Sequence, residues 1–330
     1  MSGFPRVRLR RLRRKSAIRD LVGMESPGPE KFIWPVFVIE GEGRRDPIDA
    51  MPGQSGLSVD ELLRDLEPVA KEGVGGVLLF GVAGDMPKDA SGSTAAESEG
   101  TVQQAIRAIA REYPEMVLMT DVCLCAYTDH GHCGPLDQHG EVDNDAALQV
   151  LSAVAVSHAE AGADVVAPSA MMDGQVGAIR GALDEAGHDD TIIMSYSTKF
   201  ASSMYGPFRE AEQSAPQSGD RCGYQASFAD LHTALRESDL DEQEGADILM
   251  VKPALFYLDV IARLRERTDL PIAAYNVSGE YSMIIASAER GWGETAAMAR
   301  ESLLALKRAG ADIFLSYWAN RYEEIFGGEQ

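Results

Sequence analysis

The chain has 330 residues, 45% of them hydrophobic, enough to bury a full core as one large barrel or as two smaller domains. Its 52 acidic against 30 basic residues leave a net charge of −22, which argues against nucleic acid as the main partner and raises life in concentrated salt as a hypothesis, beside an ordinary acidic mesophilic enzyme. No run of 18 or more apolar residues occurs, so no membrane span is expected, and an arginine-rich start where a signal peptide would carry an apolar core points to a cytoplasmic protein.

The first stretch, FPRVRLRRLRRKSAIR, holds eight basic residues by position 19 and little that could form a core. It reads as an arm over residues 1–29, and the acidity of the remainder favours a neighbouring subunit as what it grips, over nucleic acid or a transit-like role. From residue 32 short apolar runs alternate with longer amphipathic ones, the pattern of βα units around a parallel sheet. Eight strands are expected: FIWPVFVI (32–39), GVLLFG (76–81), EMVLMTD (115–121), ADVVAP (163–168), TIIMSY (191–196), DILMVK (247–252), PIAAYN (271–276) and ADIFLSY (311–317). Helices are expected between them, for example over 58–73, 145–162 and 258–267. Ser58 with Glu61 three residues on fits a capping box, and AGAD recurs as a helix-to-strand turn before the fourth and eighth strands. Eight such units match a (β/α)8 TIM barrel with an N-terminal arm, the barrel taking residues 30–330. A doubly wound sheet would carry a glycine-rich phosphate loop after an early strand, and none is present.

Catalytic residues of a TIM barrel sit at the C-terminal ends of its strands. Those ends carry Asp121, Ser169, Lys199, Lys252, Ser278 and Tyr317, expected at one mouth, with the loop 81–100 and the stretch 200–226 as lids above it. Two of the six are lysines, in a chain that has only seven. An ammonium buried unpaired costs several kcal/mol, so such a lysine finds a partner or loses its proton, and a neutral lysine is a nucleophile. A single strand-end lysine reads most simply as a snorkelling side chain; two in one barrel mouth do not.

Of four cysteines, three fall between positions 123 and 133, in DVCLCAYTDHGHCG. Cys123 and Cys125 are two apart in extended chain and point the same way, and Cys133 returns after a turn. Three thiolates suit zinc with a fourth position left for water or substrate, which is the form of a catalytic site. A closed site completed by His130 or His132 is the competing reading, as are three reduced cysteines; either histidine would equally serve as a donor behind the ligands. Cys222 stands alone and reads as an unliganded thiol. Arg209 and Arg221 lie in the second lid beside Gln225, and because arginine holds a carboxylate through two parallel hydrogen bonds they suggest an acidic substrate tail, against a reading as solvated loop charges. The segment NVSGEY (276–281) offers the Ser278 hydroxyl and backbone N–H groups to a second anion, with Glu280 and Tyr281 as caps of the next helix.

Taken together, DVCLCxYTxHGHCG, PS-MMDG, SYSTKFAS, YGPFREA, DR-GYQ, EGADILMVKPA, VSGEY and KRAGAD resemble the porphobilinogen synthase family, also called 5-aminolevulinate dehydratase, over roughly residues 30 to 320. The resemblance implies a (β/α)8 barrel with an arm that embraces a neighbour, in a homo-oligomer expected to be an octamer. It also implies condensation of two 5-aminolevulinate molecules into the pyrrole porphobilinogen. By motif, Lys252 looks like the lysine that forms a Schiff base with the first substrate and Lys199 like its partner for the second. Asp121 would stand beside the reacting amine. Ser278 and Tyr317 resemble the anchors of the first carboxylate, and Arg209, Arg221 and Gln225 those of the second. The triple cysteine is similar to the zinc-using branch, and Glu237 resembles a ligand for a magnesium ion bound between subunits. Ala170 and Gln175 depart from a usual aspartate and arginine, and Gly56 from a usual arginine; these bear on subunit contacts and loops. A single-lysine Schiff-base aldolase on the same barrel would need neither three thiolates nor a second strand-end lysine. A zinc-stabilised nucleic-acid module would use the basic arm, but the acidity of the chain opposes it.

Overall fold

Strands covered on both faces, by a barrel interior and by a helical layer, read as unbroken apolar runs, and this is why the barrel is visible in the sequence. The computed structural model describes residues 8–84 and 86–327. Among these it contains ten strands: β1 (Phe32–Val38), β2 (Arg45–Pro47), β3 (Ser55–Leu57), β4 (Gly76–Gly81), β5 (Val117–Val122), β6 (Val165–Pro168), β7 (Ile192–Lys199), β8 (Ile248–Lys252), β9 (Ile272–Asn276) and β10 (Ile313–Ser316). All but β2 and β3 run parallel in chain order, and β10 pairs back onto β1, with Phe32 opposite Phe314, so the sheet closes. Each of the eight strands expected from sequence falls on one of these. The expected helices are found at Val59–Lys71, Asn144–Ala161 and Leu258–Arg265.

The GAD turns show how the closed end of the barrel is fastened. Gly162, Gly245 and Gly310 take φ of 108°, 102° and 121°, a region an L side chain avoids, and so end their helices. The aspartate two residues later then accepts a backbone N–H at the neighbouring strand: Asp164 from Leu118 at 2.8 Å, Asp247 from Ile193 at 2.8 Å and Asp312 from Ile272 at 2.9 Å. One short motif thus both stops the helix and pins strand register.

Two expectations are corrected. No capping box forms at Ser58, whose side chain caps no helix N–H: its Oγ donates to Asp60 at 2.6 Å and accepts the Arg44 N–H at 2.9 Å, while Glu61 is drawn to Arg45 at 3.0 Å. The pull comes from an unforeseen hairpin, β2 antiparallel to β3 on the edge of β1, which places Arg45 against Asp65 at 2.6 Å. Of the arm, residues 1–7 lie outside the described residues; Leu9–Arg13 and Ser16–Val22 are short helical turns that leave Leu21 83% exposed. The segment behind them docks on the barrel, with Lys307 donating to Glu25 O and Tyr322 Oη to Pro27 O at 2.9 Å. No helix among the described residues is long and apolar enough to cross a membrane.

Candidate active site

Lys199 and Lys252 are cross-strand partners on β7 and β8. An irregularity in β7 creates that pairing. Ser195 faces Leu249 but Thr198 faces Val251, so β7 carries one residue more than β8 between these rungs. Without the extra residue Thr198 would lie opposite Lys252. A bulge that re-aims a side chain at a barrel rim thereby brings two lysines to one face. Both are buried, at 6% and 3% exposure. Lys199 Nζ donates to the Ser169 carbonyl at 2.6 Å. Lys252 Nζ lies among rings instead, 4.1 Å from the centre of Tyr275, 4.8 Å from Phe208 and 4.9 Å from Tyr196. Burial chiefly, and then the charge of Lys199, pull the Lys252 ammonium down to about 7, against the opposing charges of Asp121, Glu212 and Cys125.

Asp121 is the penultimate residue of β5, with its Oδ1 shut from solvent and without a hydrogen-bond partner. Burial raises its carboxyl pKa, although both lysines act to lower it, so it holds a proton more readily than an ordinary aspartate. Tyr317 is fully buried, its hydroxyl 3.2 Å from that of Tyr275, which completes an aromatic floor with Tyr196. Sequence reasoning did not foresee Phe208, Tyr196 and Tyr275 as the walls around Lys252. Phe208 comes from the lid helix Gly206–Glu212, and Tyr196 and Tyr275 sit in strands buried along their length, so no periodicity set them apart.

The ligand atoms of Cys123, Cys125 and Cys133 lie within 4.8 Å of one another, and the first two sulfurs are 3.4 Å apart. Three sulfurs at about 2.3 Å from a tetrahedral ion stand roughly 3.8 Å from each other, so the cluster fits zinc with small adjustments. Hydrogen bonds among the sulfurs raise Cys123 and lower Cys133, so Cys133 releases its proton more readily than Cys123. Neither histidine joins them. His132 spans from Tyr224 Oη at 3.2 Å to the Ser218 carbonyl at 3.0 Å, and His130 meets the Ala90 carbonyl at 3.2 Å, so both tie lid segments together. Among the described residues these cysteines form the one cluster of three or more such groups suited to a metal, and Cys222 is exposed and free.

The second lid covers the lysines through the helix Gly206–Glu212. Arg221 donates to the carbonyls of Gly131 at 3.1 Å and Ser214 at 2.6 Å, leaving its Nε unpartnered; Arg209 Nε and both amide atoms of Gln225 are likewise buried without partners. Unsatisfied donors collected under one lid are uncommon in native proteins and suit an anionic guest. Ser278 is less free than its sequence position implied. Its hydroxyl accepts the Phe208 N–H at 3.1 Å and donates to the Met204 carbonyl at 3.3 Å, fastening the lid to the helix Ser278–Glu289. Glu280 caps that helix as expected, accepting from Val277 N–H and Leu255 N–H at 2.9 Å each.

Glu237 lies on a cleft of about 370 Å³ that Glu141, Asp173 and Gln225 also line. Gln175 turns back on its own loop, accepting the Met172 N–H at 3.3 Å and donating to Pro168 O at 3.4 Å; Ala170 is fully buried, and Gly56 pairs with Phe37.

The geometry agrees with what the chain is similar to. The profile of the family described as delta-aminolevulinic acid dehydratase matches residues 6–325. A protein of that name from Methanothermobacter thermautotrophicus is 52% identical over 318 residues, 96% of each chain. Another, from Archaeoglobus fulgidus, is 48% identical over 324 residues, 98% of this chain and 99% of that one. The crystal structure of the Toxoplasma gondii enzyme in complex with the reaction product porphobilinogen superposes with a TM-score of 0.95 at 40% identity, covering 98% of this chain and 92% of that one. With the barrel, the paired lysines and the match over nearly the whole length in agreement, this chain belongs to the delta-aminolevulinic acid dehydratase family.

Proposed function

We propose that this chain is a lyase that condenses two molecules of 5-aminolevulinate into porphobilinogen with loss of water, a step of tetrapyrrole synthesis. The observation that carries the reading is Lys252, buried among rings opposite Lys199 with its ammonium held at about 7, so that about half of it is the free amine at neutral pH. The Lys252 nitrogen attacks the ketone carbon of the first substrate. A C–N bond forms, the nitrogen loses its protons, and the ketone oxygen leaves as water, giving the Schiff base. Asp121, whose carboxyl is raised by burial, hands a proton to the departing oxygen in this reading. Lys199 bonds the second ketone in the same way.

Positioning supplies much of the rate, because two reactants fixed in one chamber no longer have to meet. Ser278 and Tyr317 take the first carboxylate, and Arg209, Arg221 and Gln225, with their unpartnered donors, take the second. The lid carrying Phe208 and Arg209 keeps water from both imines. Cys123, Cys125 and Cys133 are the residues that would hold a zinc ion, whose chemistry there is Lewis-acid polarisation of a substrate oxygen.

The same reading places the enzyme in the cytoplasm, as a homo-oligomer expected to be an octamer, with residues 1–29 gripping a neighbouring subunit and a magnesium ion at Glu237 between subunits. Borohydride trapping with 5-aminolevulinate, followed by peptide mapping, tests the central step. An adduct on Lys252 is expected, with Lys199 labelled second; labelling confined to Lys199 refutes the order.

A further inference from the structure

We infer that Glu212 is the fourth ligand of the metal held by the three cysteines in the substrate-free enzyme, a ligand carried on the lid. The inference rests on the three-thiolate reading of Cys123, Cys125 and Cys133. Glu212 ends the helix Gly206–Glu212 and is 3% exposed. A carboxylate at a helix C-terminus meets the negative end of the backbone dipole, and burial removes its water, so this position keeps a proton or calls for a cation. No described residue supplies one as an ion pair: Arg221 spends its bonds on the carbonyls of Gly131 and Ser214, and Lys252, whose charge also reaches it, lies among rings.

Its carboxylate faces the thiols. Oε2 lies 3.5 Å from Cys125 Sγ, where the thiol donates to the carboxylate. Tetrahedral zinc with sulfur at about 2.3 Å and oxygen at about 2.1 Å sets those two ligand atoms roughly 3.6 Å apart. The pair therefore already spans one edge of such a site. Glu212 stands more than 4.8 Å from at least one of the other two sulfurs, so once the thiol proton leaves its side chain must rotate to bring the oxygen toward them.

The helix also carries Arg209, one turn earlier, which the proposed reaction assigns to a substrate carboxylate. A substrate that draws Arg209 toward itself shifts Glu212 in the same rigid turn. Glu212 would then leave the metal as substrate arrives, so that the fourth position opens only under a closed lid.

The test uses the full-length enzyme and its Glu212→Gln and Glu212→Ala variants. Zinc affinity is measured by competition with a chromophoric chelator, and the cobalt-substituted forms are compared by visible spectroscopy. Melting of the metal-free proteins verifies that each variant folds. Expected are at least a tenfold loss of zinc affinity in Glu212→Ala, a loss in Glu212→Gln, and altered cobalt bands in both. Unchanged affinity and bands overturn the inference while leaving the three-thiolate site intact. Weaker binding with unchanged bands also overturns it, since that is the signature of a carboxylate acting through Cys125 alone. Zinc-edge X-ray absorption of the wild type needs no variant: it must find three sulfurs and one oxygen with a carboxylate carbon behind it, and a lone light atom contradicts the assignment. A wild-type chain that takes up no metal refutes the thiolate reading and this inference together.

Discussion

Removing the charge beside Lys252 isolates the two causes that destabilise its ammonium. In Lys199→Met the cross-strand cation is gone, but the ring cage of Tyr275, Phe208 and Tyr196 remains. Burial is the larger cause and the Lys199 charge the second, so the Lys252 midpoint should rise above about 7 and still stop well short of 10.5. The drop from 10.5 to about 7 is on the order of 5 kcal/mol of destabilisation of the ammonium. At pH 7 it raises the free-amine fraction from roughly 3 in 10,000 to about one half, an enrichment of about a thousandfold. The assay is the initial rate of cyanoborohydride trapping at Lys252 with 4-oxopentanoate, which keeps the ketone and carboxylate of the substrate, followed by mass mapping from pH 5 to 10. In the wild type the rate should climb about tenfold per pH unit below 7 and flatten above 8, because only the deprotonated amine attacks. In Lys199→Met the bend should move to higher pH. A wild-type rate still climbing tenfold per unit at pH 9 would show an ordinary ammonium and refute the reasoning, as would a bend unmoved by the loss of Lys199.

Three other outcomes follow from the structure. Chelation, or Cys125→Ala, should abolish turnover while leaving the barrel folded, since the cysteines lie at the mouth and the strands pair without them; cooperative unfolding on chelation, read by circular dichroism, would make the site structural instead. Asp241, on the helix Leu231–Gln243, accepts from Ser195 Oγ, and burial raises its carboxyl to about 7, so its stabilising protonated form is full below about 4 and lost as pH rises through 7. Asp241→Asn should therefore raise the melting temperature at pH 8, by roughly 2 to 4 kcal/mol in stability, and change it little at pH 4. Deleting residues 1–19 should shrink the assembly seen by light scattering without slowing chemistry in the assembled fraction, because the described part of that stretch is exposed helical turn that packs on no core of its own chain.

The barrel was legible because strands buried on both faces leave apolar runs, and because GAD marks three of the turns that lock register. The lysines, Asp121 and the cysteines were legible for a related reason: polar residues that end such runs have a predictable place at the mouth. What escaped was set by tertiary contact. The extra residue that turns Lys199 toward Lys252 has no signature in SYSTK, and the fifth expected strand, now β7, was set to end at 196 and not at Lys199. Ser58 carried every mark of a cap, yet the exposed hairpin β2–β3 drew Glu61 away to Arg45. Glu212 was not singled out within the polar stretch 200–226, and only the fold reveals that the helix carrying it turns the carboxylate inward to Cys125.

The most direct test of the account is a pyrrole assay on purified, zinc-loaded enzyme given 5-aminolevulinate alone, with Lys252→Arg as the paired variant. The account predicts porphobilinogen formation by the wild type and none by Lys252→Arg, because a guanidinium stays protonated and cannot attack a ketone. Failure of the wild type to form the pyrrole, or substantial turnover by Lys252→Arg, would contradict it.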